Sequence, residues 1–237
     1  MRLRLMLFLA TALVAGCAFA QSKMDPFDYE VANVALLQAQ PVKTELKVTE
    51  AQRAAMNKVA SSFNDQIKVL YEQARKSKDG KPPKDADPKL KAAYEKLKKG
   101  VLAQLSAMQL KRLREITLQQ AGLPALTDQI VATRVGIPPA QLKQIQKIYE
   151  QAVGAAAQIE DAALNAALKD LKAKKPKSEK EAKEIMDEAN KRAEATQKKI
   201  APQIEKLRKG AEAKVIANLT PAQKIAWQNL KGKPFKA

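Results

Sequence analysis

The chain contains no histidine, a single cysteine and few aromatic residues among its 237 positions. Each shortage excludes a class of chemistry. Without histidine, neither Ser-His-Asp nor Cys-His nucleophilic catalysis can be assembled, and Cys/His zinc sites are equally out of reach. The one cysteine is Cys17, so everything after it lacks disulfides and is held together by its core alone. Aromatics make up 4% of the chain, too few to line a sugar cleft. No sequence pattern sets two acids in the apolar surroundings that a glycosidase pair requires. The expectation is a non-enzymatic protein with no cofactor and no metal.

The first twenty residues read separately from the rest. Arg2 and Arg4 form a basic start, Leu5 to Ala15 is apolar, and Ala18-Phe19-Ala20 is a small-x-small cleavage signal before Gln21. That is the pattern of a secretory signal peptide over residues 1–20. The apolar run falls short of the roughly 20 residues that span a bilayer. Val14-Ala15-Gly16-Cys17 also resembles a bacterial lipobox, which leaves lipidation at Cys17 as the alternative. Loss of residues 1–20 removes two arginines and no acid, taking the formal net charge from +18 to +16.

Beyond the signal the apolar residues recur at helical spacing. Asp25 to Gln40 reads as a short helix or half-packed arm that Pro41 breaks. From Thr49 to about Lys76, Met56, Val59, Phe63, Ile67, Leu70 and Ala74 follow one another at intervals of 3, 4, 4, 3 and 4, a helical stripe. Ser77 to Pro88, with three prolines and Gly80, reads as an exposed loop. A returning helix carries Leu90, Tyr94, Leu97, Val101 and Leu105 on one face. The next carries Met108, Leu113, Ile116 and Gln120, and ends at Gly122-Leu123-Pro124. Leu126 to Val135 reads as one short helix. A long helix then runs to about Lys174, and Lys174 to Lys177 forms the turn. Ser178 with Glu181 has capping-box spacing for the helix after it. Pro202 inside that helix is expected to kink or split it. A final helix holds Ile225, Trp227 and Leu230 before Gly232-Lys233-Pro234. The fold class is all-α: elongated hairpins or a bundle of long amphipathic helices.

Four of these helices open on variants of one pattern. They are Val48-Thr49-Glu50-Ala51-Gln52, Leu105-Ser106-Ala107-Met108-Gln109, Ile137-Pro138-Pro139-Ala140-Gln141 and Leu219-Thr220-Pro221-Ala222-Gln223. In the last, Thr220 caps the helix, Pro221 occupies a first-turn position where its missing donor costs nothing, and Gln223 reaches back to complete a capping box. Thr49 with Gln52 and Ser106 with Gln109 fit the same device. Pro138 cannot cap by side chain, so the third copy keeps mainly Gln141. Leu110 and Leu142 are placed to staple Leu105 and Ile137. The motifs recur at matching places and divide the chain into an N-terminal arm (21–45), a first half (46–122), a connector (123–136), a second half (137–231) and a tail (232–237). This points to two similar halves built from an internal repeat.

The L-T-x-x-Q motif, in an exported and all-helical chain, resembles the Spy/CpxP family of periplasmic proteins. The likeness covers four five-residue motifs and the helical plan, with Leu219 to Gln223 the strict match. It implies a curved helical hairpin, often dimeric, and an ATP-independent chaperone or envelope-stress role. The family's metal-responsive members use histidine or cysteine, which this chain lacks after Cys17.

The basic balance adds a second class of partner. Arg75 to Lys78, Lys81 to Lys84, Lys96 to Lys99, Lys172 to Lys177 and Lys231 to Lys236 are clustered cations. They suit anionic lipid, anionic polymer or acidic unfolded chains. Export and the lack of a recognition motif argue against nucleic acid. Client or homodimer contacts are expected along Met56, Phe63, Tyr71, Tyr94, Met186 and Trp227, with ordinary core packing as the competing role for each. A structural envelope protein and a Skp-like trimeric holdase are the alternatives to the chaperone.

Overall fold

A computed structural model describes residues 25–76, 86–174, 176 and 178–236; the signal sequence, Cys17 and most of the 77–88 loop lie outside the described residues. Among those described there is helix and no strand: α1 (Pro26–Val31), α2 (Gln40–Glu45), α3 (Glu50–Lys76), α4 (Ala86–Leu102), α5 (Ala107–Ala121), α6 (Gln129–Val135), α7 (Pro139–Lys172), α8 (Glu179–Asn218) and α9 (Pro221–Lys231), with 3-10 turns at Val34–Gln38 and Leu123–Thr127. Helices α3 and α4 pair as one antiparallel hairpin and α7 and α8 as a longer one, and neither hairpin packs extensively on the other. At ~1.5 Å per residue the 40 residues of α8 extend ~60 Å.

Two apolar clusters lie at the bases of the hairpins. One gathers Val34, Leu37, Val42, Leu46, Met56, Leu102, Leu105, Leu110, Leu113 and Ile116. The other gathers Leu126, Val131, Val135, Ile137, Leu142, Ile145, Val215, Leu219 and Trp227. Helix α5 serves both, with Leu110, Leu113 and Ile116 in the first and Leu118 in the second. It is therefore apolar on more than one face, and Arg114, also buried on it, donates to Asp28 Oδ1 at 2.9 Å and to the Leu230 carbonyl. A lone buried guanidinium would be strongly unfavourable; here it is paired and hydrogen-bonded.

The two ends of the described residues cross over. Phe27 of α1 is buried in the second cluster, under the guanidinium groups of Arg114 and Arg134. Phe235 of the tail packs on the first cluster. The tail is strapped to α5: Gln119 Nε2 donates to the carbonyls of Lys231 and Lys233, Gln119 Oε1 accepts from the Phe235 amide, and Arg112 donates to the Lys233 carbonyl. Gly232 turns the strap at φ 65°, where an added Cβ would collide with the Glu115 carboxyl.

Four local features depart from the sequence expectation. Pro41 sits in the first turn of α2 and starts a helix, where its missing amide is harmless. The segment before α7 is two elements, because the Asp128 carboxylate accepts from the Ile130 and Val131 amides and begins α6 afresh. Pro202, expected to kink or split its helix, does not split α8, which continues from Glu179 to Asn218 with the proline exposed. On α4 the residues against α3 are small. Ala86, Ala93 and Gly100 recur every seven positions, and a Cβ on Gly100 would meet Val59 Cγ1 at 2.8 Å. That close seam pushes Leu90 and Tyr94 to its exposed flank.

Candidate functional site

The four motif glutamines meet in pairs. Gln52 Nε2 donates to Gln109 Oε1 at 2.8 Å, and Gln109 Nε2 donates back to Gln52 Oε1 at 3.1 Å. Gln141 and Gln223 do the same at 2.9 and 2.7 Å. Each amide also holds the backbone just ahead of the other motif. Gln52 donates to the Gln104 carbonyl and Gln109 to that of Leu46; Gln141 donates to the Asn218 carbonyl and Gln223 to that of Gly136. Three glutamines complete capping boxes at the same time. The Thr49, Ser106 and Thr220 amides donate to Gln52, Gln109 and Gln223, while the Thr49, Ser106 and Thr220 hydroxyls accept from the amides of those glutamines. Pro138 has no amide to give, yet Gln141 keeps its place in the pair. The motifs are thus helix starts and also two clasps, each closing the base of one hairpin.

A signal for the pairing lies upstream of the motifs. The segments 34–52 and 123–141 correspond at a constant offset of 89: both hold a five-residue 3-10 turn, a short helix and then a motif. Lys47, at φ 52°, occupies the position of Gly136, at φ 81°. Positive φ is uncommon for a residue with a side chain, and at Lys47 it turns a carbonyl toward Gln109 Nε2, 3.4 Å away.

The six residues expected at client or dimer contacts separate into two groups. Met56 and Trp227 are core residues, 9% and 4% exposed, so neither offers surface to a partner. Their apolar volume is needed at the hairpin bases. Phe63 is half-buried. Tyr71 (73% exposed), Tyr94 and Met186 are open, on α3, α4 and α8. Sequence reading missed Val69, Val153, Ile225 and Met108, which are also exposed. Met108, read as one of the apolar residues that α5 carries, stands two residues after the Ser106 cap and is exposed in the first turn.

Between α7 and α8, above the second clasp, runs a groove of about 550 Å³. Ile148, Ile159 and Leu207 line it, Gly210 leaves it open, and Lys206 and Lys214 stand beside it. Tyr149, next to Ile148, has a buried hydroxyl without a hydrogen-bond partner among the described residues. Burial, aided by Glu212, pushes its phenol up to about 12. On α8 the hydrogen bond from Arg208 holds Glu205 down at about 2. At the other end of the fold, the Phe27 amide and Arg134 outweigh burial and lower the Asp25 carboxyl. These are structural pairs and caps, and among the described residues no acid cluster could hold a metal ion. No described helix is long and apolar enough to cross a membrane. Comparison of the chain with family models, curated proteins and solved structures found no match to any of them.

Proposed function

We propose that this is an exported, non-enzymatic, chaperone-like envelope protein that holds unfolded clients along its hairpins. One observation supports it above others: the apolar surface is divided. The clasped bases are packed, whereas the hairpin arms bury little more than their seams and leave Val69, Tyr71, Leu90, Tyr94, Val153 and Met186 open among lysines. Each open apolar side chain offers a client only a small area to bury and hence a weak, local contact, and the surrounding cations attract acidic segments. Holding a client requires no catalytic residue. In the test, light scattering follows aggregation of a reduced, denatured client with the protein at near-stoichiometric ratio. Suppression is expected; unchanged aggregation refutes the proposal. Size measurement in the same instrument separates a monomer or dimer from a Skp-like trimer.

The net charge, +18 for the full chain and +16 without residues 1–20, favours a second reading, a structural envelope protein on anionic lipid or polymer. That reading predicts tight retention on anionic vesicles, lost at moderate ionic strength as the Debye length shrinks below ~10 Å. Client holding through apolar contacts depends less on salt.

A further inference from the structure

We propose that the groove between α7 and α8 seats a short, acidic amphipathic helix from a client protein. The proposal deepens the holding function above and rests on it for the source of the segment. Three features of the groove select this occupant. Its floor is apolar and lies along the seam of two helices, through Ile148, Ile159 and Leu207, the geometry that accepts the apolar stripe of a third helix. Its length fits a short segment, since Ile148 to Ile159 spans ~16 Å, about three helical turns.

The third feature is charge. Lys206 and Lys214 stand two turns apart beside the floor, and neither has an ion-pair partner among the described residues. The acids interleaved with them, Glu205 and Glu212, are both engaged by Arg208. The groove therefore presents two uncommitted cations while its neighbouring carboxylates are neutralised locally. A segment with leucines on one face and glutamates flanking them satisfies both the floor and the lysines; a lysine-flanked segment does not.

Gly210 makes the proposal testable without harm to the fold. A Cβ added there meets nothing within 4 Å, and replacing glycine in a helix interior favours the helix. Gly210→Leu should fill the groove in a protein that is folded at least as stably. The probe is a fluorescein-labelled 15-residue helix with leucines at i, i+3, i+4 and i+7 and glutamates on the flanks, read by anisotropy against the full chain. Binding is expected, weakened about tenfold or more by Gly210→Leu and by Lys206→Glu/Lys214→Glu, as for loss of a central contact. The same peptide with lysines for glutamates should not bind. Equal binding to Gly210→Leu and the parent overturns the proposal, as does equal binding of the lysine peptide, failure of the acidic peptide to bind, or retention of phosphatidylglycerol vesicles alone. The aggregation assay on the same variant keeps the two ideas apart. If Gly210→Leu holds clients normally and binds the peptide normally, the groove is refuted and the chaperone stands. If the groove binds the peptide but the parent holds no client, the reverse follows.

Discussion

Gln109→Glu separates the clasp from the cap. In a capping box glutamate serves as well as glutamine, and a negative charge in the first turn gains ~0.3–1 kcal/mol from the helix dipole. If Gln109 only capped α5, the substitution would be neutral or favourable. In the structure its Oε1 accepts from the Ser106 amide and from Gln52, functions that a carboxylate retains. Its Nε2 donates to the Leu46 carbonyl and to Gln52 Oε1, and a carboxylate cannot. Each of the two lost bonds is worth about 1 kcal/mol net, and the part-buried Leu46 carbonyl, left without a donor while Gln52 Oε1 keeps the Thr49 amide, adds ~1 kcal/mol more. Less the dipole gain, the expected loss is about 2–3 kcal/mol. For a chain of this size that lowers Tm by roughly 5–10 °C, measured by circular dichroism at pH 7. The loss should shrink in acid. The carboxyl at 109 is disfavoured as a charge in the folded state, so its folded pKa rises above the unfolded value. The deficit is then least below the unfolded pKa and grows as pH rises through the folded one. Parent-like stability at pH 7 would refute the clasp. A cycle of Gln52→Ala, Gln109→Ala and the double variant should show coupling of about 1–2 kcal/mol.

Gly232→Ala forces a side chain into positive φ and against Glu115, and should cost about 2 kcal/mol or more; faster amide exchange at Phe235 would report the loosened strap, and unchanged protection would contradict it. Tyr149→Phe removes a buried hydroxyl that has no partner among the described residues and should be neutral or stabilising by up to about 1 kcal/mol. The parent, with its tyrosine held near 12 when folded and near 10 when unfolded, should lose stability as pH rises from 10 to about 12 relative to Tyr149→Phe. Met56→Ala should destabilise by about 2–5 kcal/mol. Tyr71→Ser and Met186→Ser should stay within about 0.5 kcal/mol of the parent in denaturant titration yet weaken suppression of client aggregation; the opposite pattern would reverse the assignment of core and surface.

The helices were legible because their starts are written locally. Thr49, Ser106, Ser178 and Thr220 cap where their spacing indicates, and Gly122 and Gly232 stop helices where they stand. The clasps were not legible, because a glutamine at the third helical position already has a sufficient local explanation. Its second role joins residues 57 and 82 positions apart. The departure of Pro138 from the motif misdirects in the same way: it removes the cap and leaves the clasp. Surface and core were confused wherever residue size was taken as a guide. Large Leu90 and Tyr94 look like the inner face of α4, but the seam is set by Ala86, Ala93 and Gly100. Arg114 gives no sign of burial in sequence, since the Leu230 carbonyl and Asp28 that hold it come from opposite ends of the chain. The groove on α7 and α8 is invisible for a related reason: it consists of side chains that are missing.

The crossed ends have a consequence for the order in which the molecule can be built. Phe27 leaves any channel or ribosome early, yet the cluster that receives it includes Trp227, and Asp28 is bound by an arginine whose other contact is Leu230. The first segment made must wait for the last. These contacts, 86 and 116 residues apart for the two bonds of Arg114, also tie up chain-closure entropy that no local helix can repay, which makes the final docking step slow relative to the formation of either hairpin. A chain threaded N-terminus first stays unlocked until its tail has followed. Removing α1 with Phe27, or the tail with Phe235, should therefore unsettle the hairpin base at the opposite end.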